Sequence, residues 1–238
     1  KIREHSAKLL GAGAIAGAIL LTPPEPTQSL PSPQELIEKL RIKGEGEFGT
    51  SAESNEGRET KNLLVNGLKS FLPNKPRPLS RNEEKILEQI FLNVIGIPSR
   101  ATLEGEHLNT TFGYIGAEQH LRRYLGDKLY QHGEGDILSS GMAPGLGAWG
   151  YFASSKEALT TELMETEKWY AVVQTLYLPD WSRRQPYLRN WYKYRKVLIV
   201  NTENGNAVIA AIADSGPAAW TGKHFGGSPE VMRELGGD

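Results

Sequence analysis

The residue with the clearest chemical potential is Asp214, which follows an apolar run near the C-terminus. The run covers residues 207–213, and Ser215-Gly216-Pro217 comes directly after the acid. A carboxylate at the end of a buried strand, on a turn built by Gly and Pro, can be presented to a cleft. If burial raises its pKa toward the working pH, such a group can act as a general acid. The alternative is a structural Asp214 that accepts hydrogen bonds from the backbone of the turn.

The other acids and the histidines form no motif in the sequence. Glu165 and Glu167 are candidate second carboxylates, because enzymes that hydrolyse glycosides use two acids. A solvated helix face also explains both of them. His120, His132 and His224 have spacings that no zinc motif uses, so the sequence predicts no metal ion and no cofactor.

Large aromatic residues form a second set with chemical potential, since aromatic rings beside a groove can stack on sugar rings. The set consists of Trp149, Tyr151, Trp191, Tyr192, Tyr194 and Trp220. Basic residues between 183 and 196 would suit an anionic polymer. For residues 191–194, a single strand with one buried side and one wet side is the alternative. The net charge of −1 at pH 7 gives no indication of nucleic-acid binding.

The elements that must position Asp214 are predicted by residues 196–235. An apolar run at 197–200, an Asn204-Gly205 pair and the run at 207–213 predict a β-hairpin whose second strand is buried on both faces. Ser228 followed by Pro229 predicts the start of a helix, with Ser as the N-cap.

These residues resemble the double-psi β-barrel superfamily of rare lipoprotein A, lytic transglycosylases and expansins. The matching segments are Ile199-Val200-Asn201, Asn204-Gly205, the strand 208–213, Asp214-Ser215-Gly216-Pro217 and the glycine-basic helix start 222–228. The resemblance covers about forty residues, roughly one sixth of the chain. It implies that Asp214 protonates the glycosidic oxygen of peptidoglycan, after which a hydroxyl group of the sugar displaces the leaving group. The candidate substrate-binding residues are Trp149, Tyr151, Trp220, His224 and Gln174.

Three positions depart from the family pattern. The second family Asp falls on Gly226, the basic residue after the first Asp falls on Ser215, and the family's His appears as Gln174. A possible lytic transglycosylase therefore has two alternatives. One is a non-catalytic, expansin-like module that binds peptidoglycan or another polysaccharide, and the other is a structural protein of the envelope.

The predicted fold is mainly β with flanking helices, in the β or α+β class, built on a six-stranded double-psi β-barrel. Residues 81–135 predict a helical and irregular N-terminal part of the folded domain, and residues 136–238 the barrel-like domain. A helix over residues 80–95, capped by Ser80 and ended by Gly96, opens the folded region. Residues 169–178 predict a further strand.

The N-terminal part predicts an anchor and a tether. Residues 9–21 are apolar behind a basic flank, so residues 1–24 predict a signal peptide or membrane anchor in the form of a hydrophobic helix, and residues 25–80 a flexible linker. A buried core helix is the alternative for the apolar segment. We therefore expect an exported protein of the cell envelope, anchored to the membrane on its extracytoplasmic side. Its expected partners are peptidoglycan or another cell-wall polysaccharide, and the membrane through the N-terminal segment, with no nucleic acid.

Overall fold

The computed structural model describes residues 15–21 and 55–236 of the chain. The strands of the described residues are β1 (Ile15–Leu21), β2 (Ser99–Arg100), β3 (Thr102–Leu103), β4 (Glu106–His107), β5 (Phe112–Ala117), β6 (Tyr170–Val173), β7 (Lys196–Asn201), β8 (Ala207–Ser215) and β9 (Phe225–Gly227). The α-helices of the same residues are α1 (Asn55–Lys69), α2 (Arg81–Ile90), α3 (Thr161–Lys168), α4 (Trp181–Tyr192) and α5 (Pro229–Leu235). The structure is therefore a mixed α/β fold.

The large sheet closes on itself into a ring. Its strand order is β2-β1-β5-β9-β6-β8-β7, and β1 also pairs with β7. The pairs β5–β9 and β6–β8 are parallel, whereas the other pairs around the ring are antiparallel. Six strands thus form the ring, and the short strand β2 is added beside β1.

Local sequence signals account for the elements around Asp214. The hairpin between β7 and β8 turns at Asn204 and Gly205, where Gly205 has a left-handed φ of 74°. Helix α5 begins with Ser228, whose hydroxyl oxygen accepts a hydrogen bond from the backbone N–H of Val231 at 3.2 Å. Helix α2 begins with a capping box between Ser80 and Glu83. These three predictions are confirmed.

Strands β1, β7 and β8 are buried on both faces. Alternate residues of each strand belong to two different hydrophobic clusters. On one face, Val197 and Val208 pack in a cluster that includes residues of α4 and α5. On the other face, Leu198 and Ile209 pack in a cluster that includes residues of α1 and α2. Helices therefore cover both faces of these strands, and the sheet must be apolar throughout.

The predicted N-terminal hydrophobic helix is wrong for Ile15–Leu21, which forms strand β1. This strand pairs with β7 on one side and with β5 and β2 on the other, and Ile19 and Leu20 are fully buried. An apolar run of this length fits a buried strand as well as a helix, and the pairing partners decide. Residues 1–14 and 22–54 lie outside the described residues. Within residues 15–21 and 55–236, no helix is both long enough and apolar enough to cross a membrane.

Other predictions differ from the structure in secondary structure. Residues 55–69 of the predicted linker form α1, whose Leu64 and Leu68 are fully buried in the core. Of residues 191–194, considered as a strand, the first two end α4 and the last two form the turn that follows it. The strand predicted over residues 169–178 is confined to Tyr170–Val173. In each case tertiary packing overrides the local pattern.

Candidate functional site

Asp214 lies near the end of β8, with one oxygen bound and the other open. Its Oδ1 accepts hydrogen bonds from the backbone N–H groups of Ser215 and Ala148, both at 2.7 Å. No described residue donates a hydrogen bond to Oδ2. Burial raises the pKa of Asp214 above its usual range, although the two backbone hydrogen bonds act in the opposite direction. The carboxyl group is therefore held in a fixed orientation with one oxygen left for a ligand.

A second acid, Glu118, lies near enough to Asp214 for the charge of Asp214 to act on it, and it was not predicted from the sequence. It follows directly after β5, and its backbone N–H binds the carbonyl of Gly227 at 2.9 Å. Burial raises the pKa of Glu118 to about 7, Lys223 opposes this effect, and the charge of Asp214 adds to it. We call Asp214 and Glu118 the acid pair.

Glycine makes room for Glu118 on the neighbouring strand. A Cβ atom on Gly226 would lie 2.6 Å from Cγ of Glu118, so a side chain at this position would force Glu118 to move. The side chain of Glu118 thus fills the space above Gly226, the position at which the sequence resemblance implies a second Asp. The signal in the sequence was the glycine itself, because an absent side chain leaves space for one from elsewhere.

A matching arrangement places a cation next to Glu118. Gly116 of β5 is the pairing partner of Gly226 in β9, and a Cβ atom on Gly116 would lie 2.6 Å from Cδ of Lys223. Paired residues of neighbouring strands point to the same face of a sheet. Glu118 and Lys223 therefore lie on one face, over two glycines, and Lys223 donates a hydrogen bond to the carbonyl of Ala117 at 3.3 Å.

Helix α4 supports the turn that binds Asp214. Arg189 donates a hydrogen bond to the carbonyl of Ala148 at 2.7 Å, and the indole N–H of Trp149 donates to the carbonyl of Arg189, also at 2.7 Å. Trp149 is half-buried and packs against the main core. Its observed contacts thus position the backbone beside Asp214.

Gln174 fixes the loop that follows Asp214. Its side-chain amide donates to the carbonyl oxygens of Pro217 and Lys223, each at 3.1 Å. The hydroxyl of Tyr177 accepts a hydrogen bond from the backbone N–H of Ala219 at 2.8 Å. Trp220 lies between these attachment points and is 82% exposed. The loop is therefore anchored, while its tryptophan is free to contact a ligand.

His224 and Tyr151 have different environments. The backbone N–H of Tyr114 donates to Nδ1 of His224 at 3.1 Å, so this nitrogen carries no proton, and burial lowers the pKa of the ring. The ring fills the space above Gly113. Tyr151 is half-buried and, within the described residues, shares no hydrogen bond with either acid.

The two glutamates considered as second carboxylates lie elsewhere. Glu165 accepts a hydrogen bond from the indole N–H of Trp169 at 2.9 Å. Glu167 is buried and faces His120 and His132, which the structure brings together although they are distant in sequence. Neither glutamate belongs to the acid pair.

Comparisons with protein-family models, with curated proteins and with solved structures gave no match to this chain.

Proposed function

We propose that this chain cleaves the glycan strands of peptidoglycan, or of a related cell-wall polysaccharide, with the acid pair. The observation that carries the proposal is the position of Glu118 above Gly226, within range of the charge of Asp214. It supports catalysis because it supplies a second carboxyl group where the resembling enzymes have their second Asp. The exposed Trp220 on the adjacent loop supports a saccharide ligand, since tryptophan stacks on sugar rings.

In the proposed reaction, the two carboxyl groups exchange protons with one sugar. The step starts from the form of the pair in which Asp214 carries the proton and Glu118 is ionised. Oδ2 of Asp214 then donates its proton to the glycosidic oxygen, and the bond between that oxygen and the anomeric carbon breaks. A hydroxyl group of the same sugar attacks the anomeric carbon and gives its proton to Glu118. The products are a shortened glycan and a strand ending in an internal anhydro ring, with no water consumed. Solvent then returns a proton to Asp214 and removes one from Glu118.

We also infer that the six-stranded ring is a double-psi β-barrel. This inference is supported by the two parallel pairings in the ring, β5–β9 and β6–β8. The antiparallel pairing of β6 with β9 joins them. If the substrate is the cell wall, the protein is located outside the cytoplasm, because the cell wall lies there.

The experiment is the release of soluble anhydro-sugar fragments from purified sacculi by the full chain. D214N and E118Q are expected to lower the rate by about 10²-fold or more, since each removes a proton-transfer group. E165Q is the matched control, because Glu165 is a half-exposed acid away from the pair, and its rate should equal that of the wild type. A D214N variant that cleaves at the wild-type rate would contradict the proposal.

Binding without cleavage is the second candidate function, and the exposed Trp220 favours it. In that case the wild type and D214N both sediment with sacculi and neither releases a fragment. W220A is then expected to lose most of the binding, because it removes the exposed ring and leaves the anchored loop intact.

A further inference from the structure

A buried cluster of two histidines and one glutamate shares no residue with the acid pair. It consists of His120, His132 and Glu167, and we call it the histidine cluster. One ligand atom from each residue can be chosen so that all three atoms lie within 4.8 Å of one another. The side chains of both histidines are fully buried, and Glu167 is 2% exposed. Three residues from separate parts of the chain thus converge in the interior.

Both histidines are oriented in the same way. Nε2 of His120 lies 3.1 Å from the carbonyl oxygen of Ile137, and Nε2 of His132 lies 2.9 Å from Oδ2 of Asp127. In each ring the other nitrogen, Nδ1, faces Glu167. Histidines that bind a metal ion usually donate their second N–H to a carbonyl or carboxylate oxygen, which fixes the ring.

Further hydrogen bonds hold the acids of the cluster in place. Arg123 donates two hydrogen bonds to Asp127, at 2.9 and 2.8 Å. Oε1 of Glu167 accepts a hydrogen bond from the backbone N–H of Leu121 at 2.9 Å. The residues around the two rings are thus fixed in the manner of an outer shell around a bound ion.

One nitrogen in the cluster has no hydrogen bond. Nδ1 of His120 is buried without a partner in the described residues, and its distance of 3.7 Å from Oε1 of Glu167 is too long for one. If Asp127, His132 and Glu167 share a proton, the two hydrogen bonds of His132 are explained without a metal ion. Nδ1 of His120 would still have no hydrogen-bond partner among the described residues. A buried polar atom without a partner is costly, so a group that binds it is expected.

The buried charges also favour a cation. Asp127, Glu167 and Glu230 are buried acids, and Oε2 of Glu230 has no hydrogen-bond partner in the described residues. Arg123 is the buried arginine beside them. With neutral histidines, a divalent ion would balance the remaining charge of these acids.

We propose that Nδ1 of His120, Nδ1 of His132 and the Glu167 carboxylate bind a divalent transition-metal ion, best matched by Zn²⁺. Two imidazoles and one carboxylate are a ligand set that zinc accepts readily. Because the cluster is enclosed, the ion is structural. It connects α3 to the largely irregular segment between β5 and α3, which also contains Ala148, a hydrogen-bond donor to Asp214.

The test is metal binding by the full chain, using Zn²⁺ alone. The wild type, freed of metal with a chelator and dialysed against zinc, is expected to retain about one equivalent, measured by mass spectrometry of the element. H120A and E167Q are expected to retain little, whereas the matched control H224A retains the wild-type amount. Zinc is also expected to raise the Tm of the wild type by about 5 °C or more.

A measurement on the wild type alone covers the case in which the variants fail to fold. With the three protein ligands and a water molecule in the fourth position, Co²⁺ is expected to give the visible absorption of a four-coordinate site, and zinc should displace it. If the wild type retains no zinc and its Tm is unchanged by zinc and by chelator, the cluster is an ion-pair network and the proposal is overturned.

Discussion

The acid pair removes two carboxyl groups from water, as does the histidine cluster together with its neighbour Asp127, but the two regions surround these groups differently. At the acid pair, Asp214 has two backbone donors on one oxygen, and burial raises the pKa of both acids. In the histidine cluster and its surroundings, burial has the same effect on Asp127, but hydrogen bonds from Arg123 outweigh it and lower the pKa. A carboxylate whose two oxygens both accept hydrogen bonds stabilises the fold. A carboxyl group with one oxygen free of hydrogen bonds can transfer a proton to a ligand.

Replacing Asp by Asn in each of the two regions is expected to give the largest difference in the free energy of unfolding. Asp127 accepts hydrogen bonds from Arg123, Lys128 and His132, so D127N leaves a buried arginine with a weaker partner. We expect a loss of about 3–5 kcal/mol in the free energy of unfolding. D214N, in contrast, should leave the free energy of unfolding unchanged or raise it. Urea denaturation of the two variants measures both, and equal losses would remove the contrast.

Moving the second acid from Glu118 to position 226 tests whether a carboxylate at this place in the structure is what the reaction needs. E118A is expected to lower the rate of glycan cleavage by about 10²-fold or more. It also clears the space above Gly226, so the double variant E118A/G226D can place a carboxylate from the neighbouring strand there. We expect E118A/G226D to cleave at least about 10-fold faster than E118A. No recovery in a folded double variant would assign Glu118 a different role.

Displacing Glu118 without changing any charge is expected to give a smaller effect. The new Cβ atom of G226A would overlap the Glu118 side chain and push its carboxylate away from Asp214. We expect the rate of cleavage to fall by about 10-fold, since misplaced groups lose part of their catalytic effect. G145A is the matched control, because no atom lies within 4 Å of its new Cβ. Equal rates for both variants would show that the exact position of Glu118 is unimportant.

The pH dependence of stability should show the smallest effect. Because the pKa of Asp214 is raised in the folded state, the folded protein holds this proton more tightly than the unfolded chain. Its contribution to stability is therefore complete below the ordinary Asp pKa and declines as the pH rises through the raised value. Wild type should lose stability relative to D214N as the pH rises above about 4, the ordinary pKa of Asp. A difference that is constant with pH would indicate that Asp214 has an ordinary pKa in the folded protein.

Local signals in the sequence predicted the hairpin, the position of Asp214 and the starts of α2 and α5. Each depends on a few neighbouring residues, such as Asn204-Gly205 and Ser228-Pro229. Glu118 was missed because its role depends on Gly226, which is more than a hundred residues away in the chain. The histidine cluster was missed for the same reason. Spacing in sequence predicts sites within one element, and these two sites join separate elements.

Strand β1 has a consequence for how the protein folds. Its Ala16 pairs with Asn201 of β7, so about 180 residues separate two neighbouring positions of the sheet. Closing such a long loop has a high entropic cost, and folding is slow when essential contacts lie far apart in sequence. During synthesis β1 emerges well before β7, so an apolar strand must remain unpaired until its partner appears. In that interval the nascent chain is prone to aggregate, and a chaperone that binds the unpaired strand would have its largest effect on the folding yield.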